Sequence, residues 1–482
     1  MSSSGGARSP EPRGASFGAE RGDRRGGERW WSLVGEGGSR HHACAHGRGL
    51  MVEMLQRRRC LEVKAWSASR EDRSGRRKRE VAVMEEGGSE SAISAGRTQE
   101  LRDLVEEALG GLCARRGGDS TVTVMGVVDH AVVEAGRRFL EKVAPSGVMV
   151  PTWPRDRGGL GLSESEGEVV RGIVAEYDIP DLHPFLIGLQ IAGPALLAHG
   201  TKDQLDRLID RLIRGQDVWC QLFSEPEAGS DIAGLRTRAI RDGAGWWVSG
   251  QKVWSSRAHY AQRGLLLTRT DPNVPKHAGI TCFALAFDTP GIRVRPLKQM
   301  NGEAHFNEVF FDDVWVPDED RVGDIGGGWK VAVTALGHER GGRMDEVRPE
   351  QLRALVPPGG SAHATVVRDH VTQSVADLMV ATWASELSKT YGGSRGAAFG
   401  SVGKVRRSRV TKALAGTAME ALGAEGMLAD GVWQSEFLTS PAVSIRGGTD
   451  EIQRNIIGER ILGLPAEPRL DKDVPFSEIP KG

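Results

Sequence analysis

The spacing of hydrophobic residues changes twice along this 482-residue chain, and this change constrains the fold more than any other feature. From about 97 to 218, stretches such as TQELRDLVEEAL repeat their apolar residues at helical intervals. From 219 to about 325, short β-branched and aromatic runs alternate with turns such as DPNVPKHAG. The helical spacing then returns and continues to about 464. The sequence therefore predicts an α+β chain in the order α, β, α.

These changes of pattern give approximate domain boundaries. The middle segment is predicted to be a small β barrel or sandwich, because its strands are short and joined by turn residues. We divide the chain into an extension at 1–88, a helical domain at 97–218, a β domain at 219–325, a second helical domain at 326–465 and a tail at 466–482.

Residues 1–88 are rich in Arg, Gly and Ser and have no sustained apolar period, which predicts disorder. A translation start placed too far upstream is one interpretation, since Met84 begins a cleaner sequence. A genuine flexible tail is the second. A mitochondrial transit peptide is the third, and its usual lack of acidic residues is broken by Glu20, Asp23 and Glu28.

The overall composition argues against several classes of protein. The 63 Lys and Arg residues balance 64 Asp and Glu residues, so the whole chain has no charge excess that indicates a nucleic-acid partner. No apolar run reaches the ~20 residues of a membrane span. The five cysteines contain no CxxC pair, which favours a reducing, intracellular compartment.

Three short motifs are weak indicators of a ligand site. No GxGxxG follows a strand, so a dinucleotide site of the Rossmann type is not predicted. The segment FGSVGKV at 399–405 lacks the first Gly and the Ser/Thr of a phosphate loop, and we interpret it as an ordinary loop with a solvated lysine. The HHACAH segment at 41–46 could bind a metal, but we favour a disordered tail.

Two stretches in the β segment are stronger candidates. WCQLFSEPEAGSDIAGLRT, at 219–237, combines Ser224 and Ser230 with Gly and Pro residues that free backbone amides to bind a polar ring edge. A structured linker is the alternative. GQKVWSS, at 250–256, places Trp254 beside two serines, where its indole could pack against a flat cofactor or belong to the core.

The last predicted helix has a well-defined start. Thr449 is a suitable N-cap, and Asp450 and Glu451 complement the helix dipole. Gly463 and Pro465 are predicted to end the helix. Its predicted buried stripe is Ile452, Ile456 and Ile461.

Taken together, LFSEPEAGSD, VSGQKVWSS and GGTDEIQRNIIGERILGLP resemble the acyl-CoA dehydrogenase family of flavoproteins, over roughly 97–480. The resemblance implies a helical N-terminal domain, a middle β barrel and a C-terminal four-helix bundle. It implies FAD as cofactor, oxidation of an acyl-CoA to a trans-2-enoyl-CoA, and an electron-transfer flavoprotein or similar acceptor. It also implies a homodimer, homotetramer or hetero-tetramer in the bacterial cytoplasm, with the mitochondrial matrix as the alternative.

Further phrases, including GEAHFNEVFFDDVWVP, resemble bacterial members linked to branched, aromatic or sterol side-chain catabolism. By the same resemblance, Ser230 would meet the thioester arm of the substrate. Thr449 and Glu451 would lie at the FAD diphosphate or ribose, although Glu451 could simply be a surface carboxylate. The residues implied to line the isoalloxazine ring are Leu222, Phe223, Ser224, Trp254 and Ser256.

The residue expected to remove the substrate α-proton is absent from its commonest position. Medium- and short-chain members carry Glu two residues before the Thr of the last motif, where this chain has Gly447. Long-chain and isovaleryl-type members instead carry the base immediately before an Arg on the helix after the β domain, which matches Glu339 and Arg340. Arg340 would orient the CoA arm, with Gly337 and His338 along it. A solvated Glu–Arg pair is the structural alternative.

The chain also departs from the family pattern. It lacks the Arg-x-x-Phe-Gly segment that reaches the FAD of a neighbouring subunit in many members, and Gly341 and Gly342 weaken the helix beside Glu339. These departures keep open a non-catalytic partner subunit in a hetero-oligomer. The Arg-rich segment 1–88 keeps open a DNA-associated flavoprotein of the same fold.

Overall fold

The computed structural model describes residues 93–116, 130–341, 354–356, 359–391, 393–429, 431–469 and 471–480, without the side chains of 339–341, 385–391 and 393–398. The predicted extension at 1–88 and its HHACAH segment lie outside the described residues. All of the described residues belong to one compact unit, Glu85–Gly482. In this part of the chain, no helix combines the length and apolar character needed to cross a bilayer.

The first domain is helical, as its hydrophobic spacing predicts. Its third and fifth helices begin with capping boxes, in which the hydroxyls of Ser163 and Thr201 accept hydrogen bonds from backbone amides of the first turn. The side-chain oxygens of Glu166 and Gln204 in turn accept the backbone amides of Ser163 and Thr201. A π-helical turn at Gly188–Ala192 leads into the fourth helix. The helices are α1 Ala95–Leu109, α2 His130–Val143, α3 Glu164–Val174, α4 Gly193–His199 and α5 Lys202–Ile213.

The second domain is one mixed eight-stranded sheet in the order β6-β7-β3-β2-β4-β5-β8, with β1 parallel to β4. In the ladders of the described strands, β6 and β8 stand at the two ends of the pairing path. The strands are β1 Trp219–Leu222, β2 Arg238–Asp242, β3 Gly245–Ser256, β4 Arg263–Arg269, β5 Ile280–Ala286, β6 Ile292–Leu297, β7 Phe306–Pro317 and β8 Arg321–Val322.

The sheet separates two hydrophobic cores. Along β5, Cys282 and Ala284 pack into the core shared with the first helical domain, while Phe283 and Leu285 pack into the core on the opposite face. This alternation follows from the two-residue period of a strand. Since both faces of β5 are covered, its run of apolar residues is continuous.

The C-terminal domain is again helical, and its two longest helices pack around Val367, Val371, Val410 and Leu414. In the helix Gly328–Gly341, the spacing of Trp329, Val333 and Leu336 predicts one apolar side. Val333 is nevertheless 53% exposed, and the buried residues are Val331, Ala332 and Ala335. The helices are α6 Gly328–Gly341, α7 Ala362–Tyr391, α8 Gly393–Leu422, α9 Val432–Thr439 and α10 Asp450–Arg460.

Two further predictions about this domain are wrong. The FGSVGKV segment lies within α8 rather than in a loop, and Lys404 forms an ion pair with Asp450 at 2.8 Å instead of being solvated. The predicted isoleucine stripe of α10 is only half-buried, and the buried residues are Asp450 and Gln453. The buried contacts at the start of α10 are therefore polar, since Lys404 donates to Asp450 and Gln453 Nε2 donates to the Gly447 carbonyl oxygen.

Candidate active site

In the segment that follows β1, the apolar side chains are buried, so peptide groups and serine hydroxyls are left to contact a ligand. Leu222 and Phe223 are 0% and 3% exposed, and their side chains lie in the two hydrophobic cores. Ser224 is half-buried, Ser230 is exposed, and the Ser224 carbonyl oxygen accepts a hydrogen bond from the Val253 amide at 2.9 Å. A ligand at this segment would therefore meet peptide groups and serine hydroxyls.

A buried ion pair, which sequence reasoning missed, supports this segment from behind. Lys252 on β3 is fully buried, and its Nζ donates to Glu225 Oε1 at 2.8 Å and to the Phe223 carbonyl oxygen at 3.0 Å. Glu225 also accepts the amides of Arg236 and Thr237 at 2.6 and 2.9 Å. Burial alone would raise the pKa of Glu225, but Lys252 and these hydrogen bonds hold it below its usual value.

The end of β3 presents an aromatic surface. Trp254 is 58% exposed and has a left-handed backbone with φ of 58°. Its ring meets Phe306 edge-on, with centroids 5.9 Å apart, and Ser256 beside it is half-buried. A bulky residue with positive φ is uncommon outside functional sites. The exposed indole is therefore available to a flat ligand and does not belong to the core.

Residues of the C-terminal tail contact the loop between β4 and β5, which in turn contacts the segment that contains Ser230. Lys276 pairs with Asp231 at 2.8 Å and with Asp471 at 2.6 Å. Phe476 is buried, with its ring centroid 3.8 Å from the Arg269 guanidinium carbon. The neighbouring His277 ring lies 4.6 Å from that of Trp329 at the start of α6. The loop between β4 and β5 thus contacts both the tail and α6.

Helix α6 packs against the first helical domain, and His199 Nε2 lies 2.8 Å from Thr334 Oγ1. Gly337 and His338 are exposed. The backbone of Glu339 and Arg340 is helical, and their side chains lie outside the described part of the structure. Their proposed roles thus remain predictions.

The last motif has a tightly turned entry. Gly447 and Gly448 adopt φ values of 65° and 85°, and the Thr449 hydroxyl accepts the Ile452 amide at 3.2 Å, which confirms the predicted N-cap. The Glu451 side chain is 76% exposed and pairs with Arg454 at 3.1 Å.

The side chains of Lys404 and Asp450 anchor the same end of α10. Burial would raise the pKa of Asp450, but hydrogen bonds from Lys404, Ser444 and Ser408 hold it below its ordinary value.

His305, the residue before β7, lies beside the aromatic surface at the end of β3. Burial, followed by the charges of Arg257 and Arg446, lowers the pKa of His305 to about 4. His305 also packs against Phe306, the residue that contacts Trp254, with ring centroids 4.6 Å apart.

The described residues contain no metal-binding cluster and no thiol with a lowered pKa. Within these ranges no group of three or more His, Cys, Asp or Glu side chains could hold a metal ion. Cys113, Cys220 and Cys282 are free thiols, and burial raises the pKa of each.

Comparisons with known proteins agree on one family. Residues 220–314 match the model described as acyl-CoA dehydrogenase, middle domain, and 365–462 match acyl-CoA dehydrogenase, C-terminal domain. The chain is 39% identical to the acyl-CoA dehydrogenase FadE34 of Mycobacterium tuberculosis over 369 residues, 73% of this chain but half of that protein's length. It is 36% identical to IpdE1, an acyl-CoA dehydrogenase of the same organism, over 71% of this chain and 91% of that protein.

Solved structures have the same fold. The ChsE4-ChsE5 complex from Mycobacterium tuberculosis matches with a TM-score of 0.61 and 27% identity, covering 78% of this chain and 99% of that chain. A steroid ACAD described as Tcur3481-Tcur3483 matches with a TM-score of 0.61 and 25% identity over the same shares.

Proposed function

Because the chain belongs to the acyl-CoA dehydrogenase family, we propose that it oxidises an acyl-CoA thioester to a trans-2-enoyl-CoA with FAD as cofactor. The observation that carries this proposal is the 36% identity with IpdE1, which extends along 91% of that dehydrogenase. The exposed Trp254, the serine-rich segment after β1 and the capped start of α10 are compatible with it. An electron-transfer flavoprotein or similar protein would accept the electrons.

Two groups of described residues suit the flavin ring and the diphosphate of FAD. Trp254, Ser256 and the peptide groups of 222–224 offer an aromatic face and polar contacts for a flat ring. Thr449 and the first amides of α10 suit a diphosphate, because a helix N-terminus stabilises anionic groups. The ion pair between Glu451 and Arg454 favours a solvent-facing carboxylate. When bound, FAD supplies the acceptor for the hydride that leaves the substrate β-carbon.

Glu339 is the proposed base for the α-proton. Gly447 has no side chain, so the carboxylate must come from another segment, and Glu339 lies on the helix whose Trp329 contacts the β4–β5 loop. A thioester α-proton is a weak acid, so substrate binding must exclude water and thereby raise the pKa of the Glu339 carboxyl. Backbone amides near Gly448 or at Glu339 would stabilise the enolate oxygen. Arg340, His338 and Gly337 would lie along the CoA arm.

A test of this assignment compares wild type with Glu339→Gln. We expect the substitution to reduce flavin reduction by an acyl-CoA about 10²- to 10⁴-fold without loss of bound FAD, because a general base contributes that much. Glu319→Gln, at a side chain that is 74% exposed, is the matched control. Unchanged reduction by Glu339→Gln would remove the base assignment while leaving the family intact.

A second candidate role is a non-catalytic partner subunit that contributes FAD contacts to a hetero-oligomer. The glycine at 447 favours it, and two similar structures are described as two-component assemblies, ChsE4-ChsE5 and Tcur3481-Tcur3483. The purified chain decides between the roles. The partner role predicts that the chain alone holds no flavin and reduces no acceptor with straight-chain, branched or steroid-derived acyl-CoAs. It also predicts that a co-expressed partner subunit restores both, and that removing the catalytic base of that partner abolishes the activity.

A further inference from the structure

A short segment of the tail, 471–478, contacts the loop between β4 and β5 through its backbone. The amides of Phe476 and Ser477 donate to carbonyl oxygens of this loop at 3.0 and 2.8 Å. Pro475 also forms an antiparallel bridge with Pro275 of the loop. The tail segment therefore pairs with the loop like a short added strand, and this pairing fixes the position of the Phe476 side chain.

The Phe476 ring covers a buried arginine. Phe476 and Arg269 are 6% and 5% exposed, and the ring centroid lies 3.8 Å from the Arg269 guanidinium carbon. The guanidinium carbon of Arg236 lies 5.0 Å from the same centroid. The electron-rich face of an aromatic ring attracts a guanidinium, most strongly where water is excluded. Phe476 thus binds Arg269 by a contact that an aliphatic side chain would not supply.

Arg269 in turn holds the turn 231–235, which directly follows Ser230. Its Nη2 donates to the carbonyl oxygens of Ala233 and Leu235 at 2.6 and 3.3 Å, and both of these residues are fully buried. Its Nη1 donates to the carbonyl oxygen of Lys276 in the β4–β5 loop at 2.5 Å. Because buried carbonyl groups need donors, this one guanidinium joins the turn to the loop.

An ion-pair bridge joins the tail, the loop and the turn a second time. Lys276 Nζ lies 2.8 Å from an Asp231 carboxylate oxygen and 2.6 Å from an Asp471 carboxylate oxygen, and the Lys276 side chain is only 13% exposed. Asp231 is the first residue of the turn and the neighbour of Ser230. The turn is therefore held at its start by this bridge and at its end by Arg269.

The same loop contacts the helix that carries the proposed base. The ring of His277 lies 4.6 Å from that of Trp329 at the start of α6. At the end of the loop, the hydroxyl of Thr281 on β5 accepts the amide of Gly326, two residues before α6, at 3.0 Å. The tail thus lies on a loop that contacts both the Ser230 segment and α6.

We propose that Phe476 and Asp471 are positioning residues for the acyl-CoA site, which hold the turn 231–235, and with it Ser230, in the conformation that receives the thioester arm. This inference rests on the proposed dehydrogenase function, in which Ser230 meets that arm. Without the ring or the carboxylate, the turn populates further conformations, and the apparent dissociation constant of the substrate rises as the competent fraction falls. Neither residue takes part in proton or hydride transfer.

The test measures oxidation of octanoyl-CoA, isobutyryl-CoA and a steroid-derived acyl-CoA by the FAD-loaded enzyme, and compares variants on the substrate that wild type oxidises fastest. Phe476→Leu keeps an apolar side chain without the ring, and it should raise KM about five- to tenfold with kcat within about twofold of wild type. Phe476→Tyr keeps the ring and should retain the wild-type KM. Asp471→Lys replaces an attraction to Lys276 with a repulsion and should raise KM about threefold or more. Lys472→Ala, at an exposed neighbour in the same segment, is the matched control.

Hydrogen exchange provides a measurement that needs no substrate. The amides of Gly234 and Leu235 donate to carbonyl oxygens within the same turn at 2.9 and 3.1 Å, so their exchange reports whether the turn is closed. In Phe476→Leu these two amides should exchange at least about fivefold faster. The amides of β6, at one end of the strand order, should keep their wild-type rates.

The outcomes separate this inference from the general function. An enzyme that oxidises acyl-CoAs with an unchanged KM in both Phe476→Leu and Asp471→Lys overturns the positioning role and keeps the dehydrogenase. A lower melting temperature without faster exchange at Gly234 and Leu235 also overturns it, because the tail would then only add stability. A wild-type protein that oxidises none of the three thioesters overturns the proposed function, and exchange at these two amides then decides whether the tail holds the turn.

Discussion

Replacing Lys252 with methionine tests whether the buried ion pair holds the segment after β1. Methionine keeps most of the side-chain length but leaves Glu225, which is 7% exposed, without its counter-charge, and it removes the donor to the Phe223 carbonyl oxygen. Removing one partner of a buried pair typically destabilises a protein by ~3–5 kcal/mol. We therefore expect Lys252→Met to reduce the free energy of unfolding of the β domain by about this amount.

Guanidinium denaturation followed by tryptophan fluorescence measures the loss, since five tryptophans lie within β1, β3 and β7. Hydrogen exchange localises it, and the amides of Arg236, Thr237 and Val253 should exchange faster. Arg454→Ala is the control, because breaking its exposed pair should change stability by less than ~1 kcal/mol.

The pH dependence of the stability difference between Lys252→Met and wild type provides a second test. Without Lys252, burial raises the pKa of Glu225, so the carboxyl takes up a proton as the pH falls, and the difference from wild type should shrink. The double variant with Glu225→Gln should recover part of the loss, since the amide oxygen still accepts a backbone hydrogen bond. A Lys252→Met protein within ~1 kcal/mol of wild type at neutral pH would refute the reasoning.

Three other substitutions test separate contacts. Hydrogen bonds from Arg321 and Trp246 lower the pKa of Asp318 from 3.8 to about 2. The ionised carboxylate therefore stabilises the fold by up to about 2 kcal/mol above pH ~4, and this stabilisation is lost as the pH falls toward 2. Asp318→Asn should flatten acid denaturation curves in that pH range. Thr449→Ala should destabilise α10 by ~1 kcal/mol and weaken FAD binding, whereas Thr449→Ser should restore both in thermal melts and flavin titrations. Lys404→Met should destabilise by ~3 kcal/mol or more in denaturant titrations, because Asp450 stays buried, and an unchanged midpoint would contradict this.

Features encoded within a few neighbouring residues were predictable from sequence. The Thr449 cap depends on a hydroxyl and an amide three residues apart, and it forms as predicted. The change from helical to alternating spacing near residue 219 coincides with the start of β1. The resemblance implies that Trp254 lines the flavin ring, which stays a prediction, and neither its exposure nor its left-handed backbone has a sequence signal.

Features that depend on distant partners were not predictable. Lys252 occurs in an ordinary alternating strand, where a lysine indicates a solvent-facing position, and only its contact with Glu225 explains its burial. Lys404 was interpreted as solvated for the same reason, since its partner Asp450 is 46 residues away. Val333 fits an apolar helical spacing, but the face of α6 that is covered is decided by the neighbouring sheet and helices.

The contact of Phe476 with Arg269 has a consequence for biosynthesis. Its amide also bonds to the Val274 carbonyl oxygen at 3.0 Å, about two hundred residues earlier in the chain. A nascent polypeptide whose eight strands have all left the ribosome still lacks the ring that covers this arginine. The middle domain is thus finished only after the following helices have been translated, and a stalled ribosome would leave its guanidinium face bare.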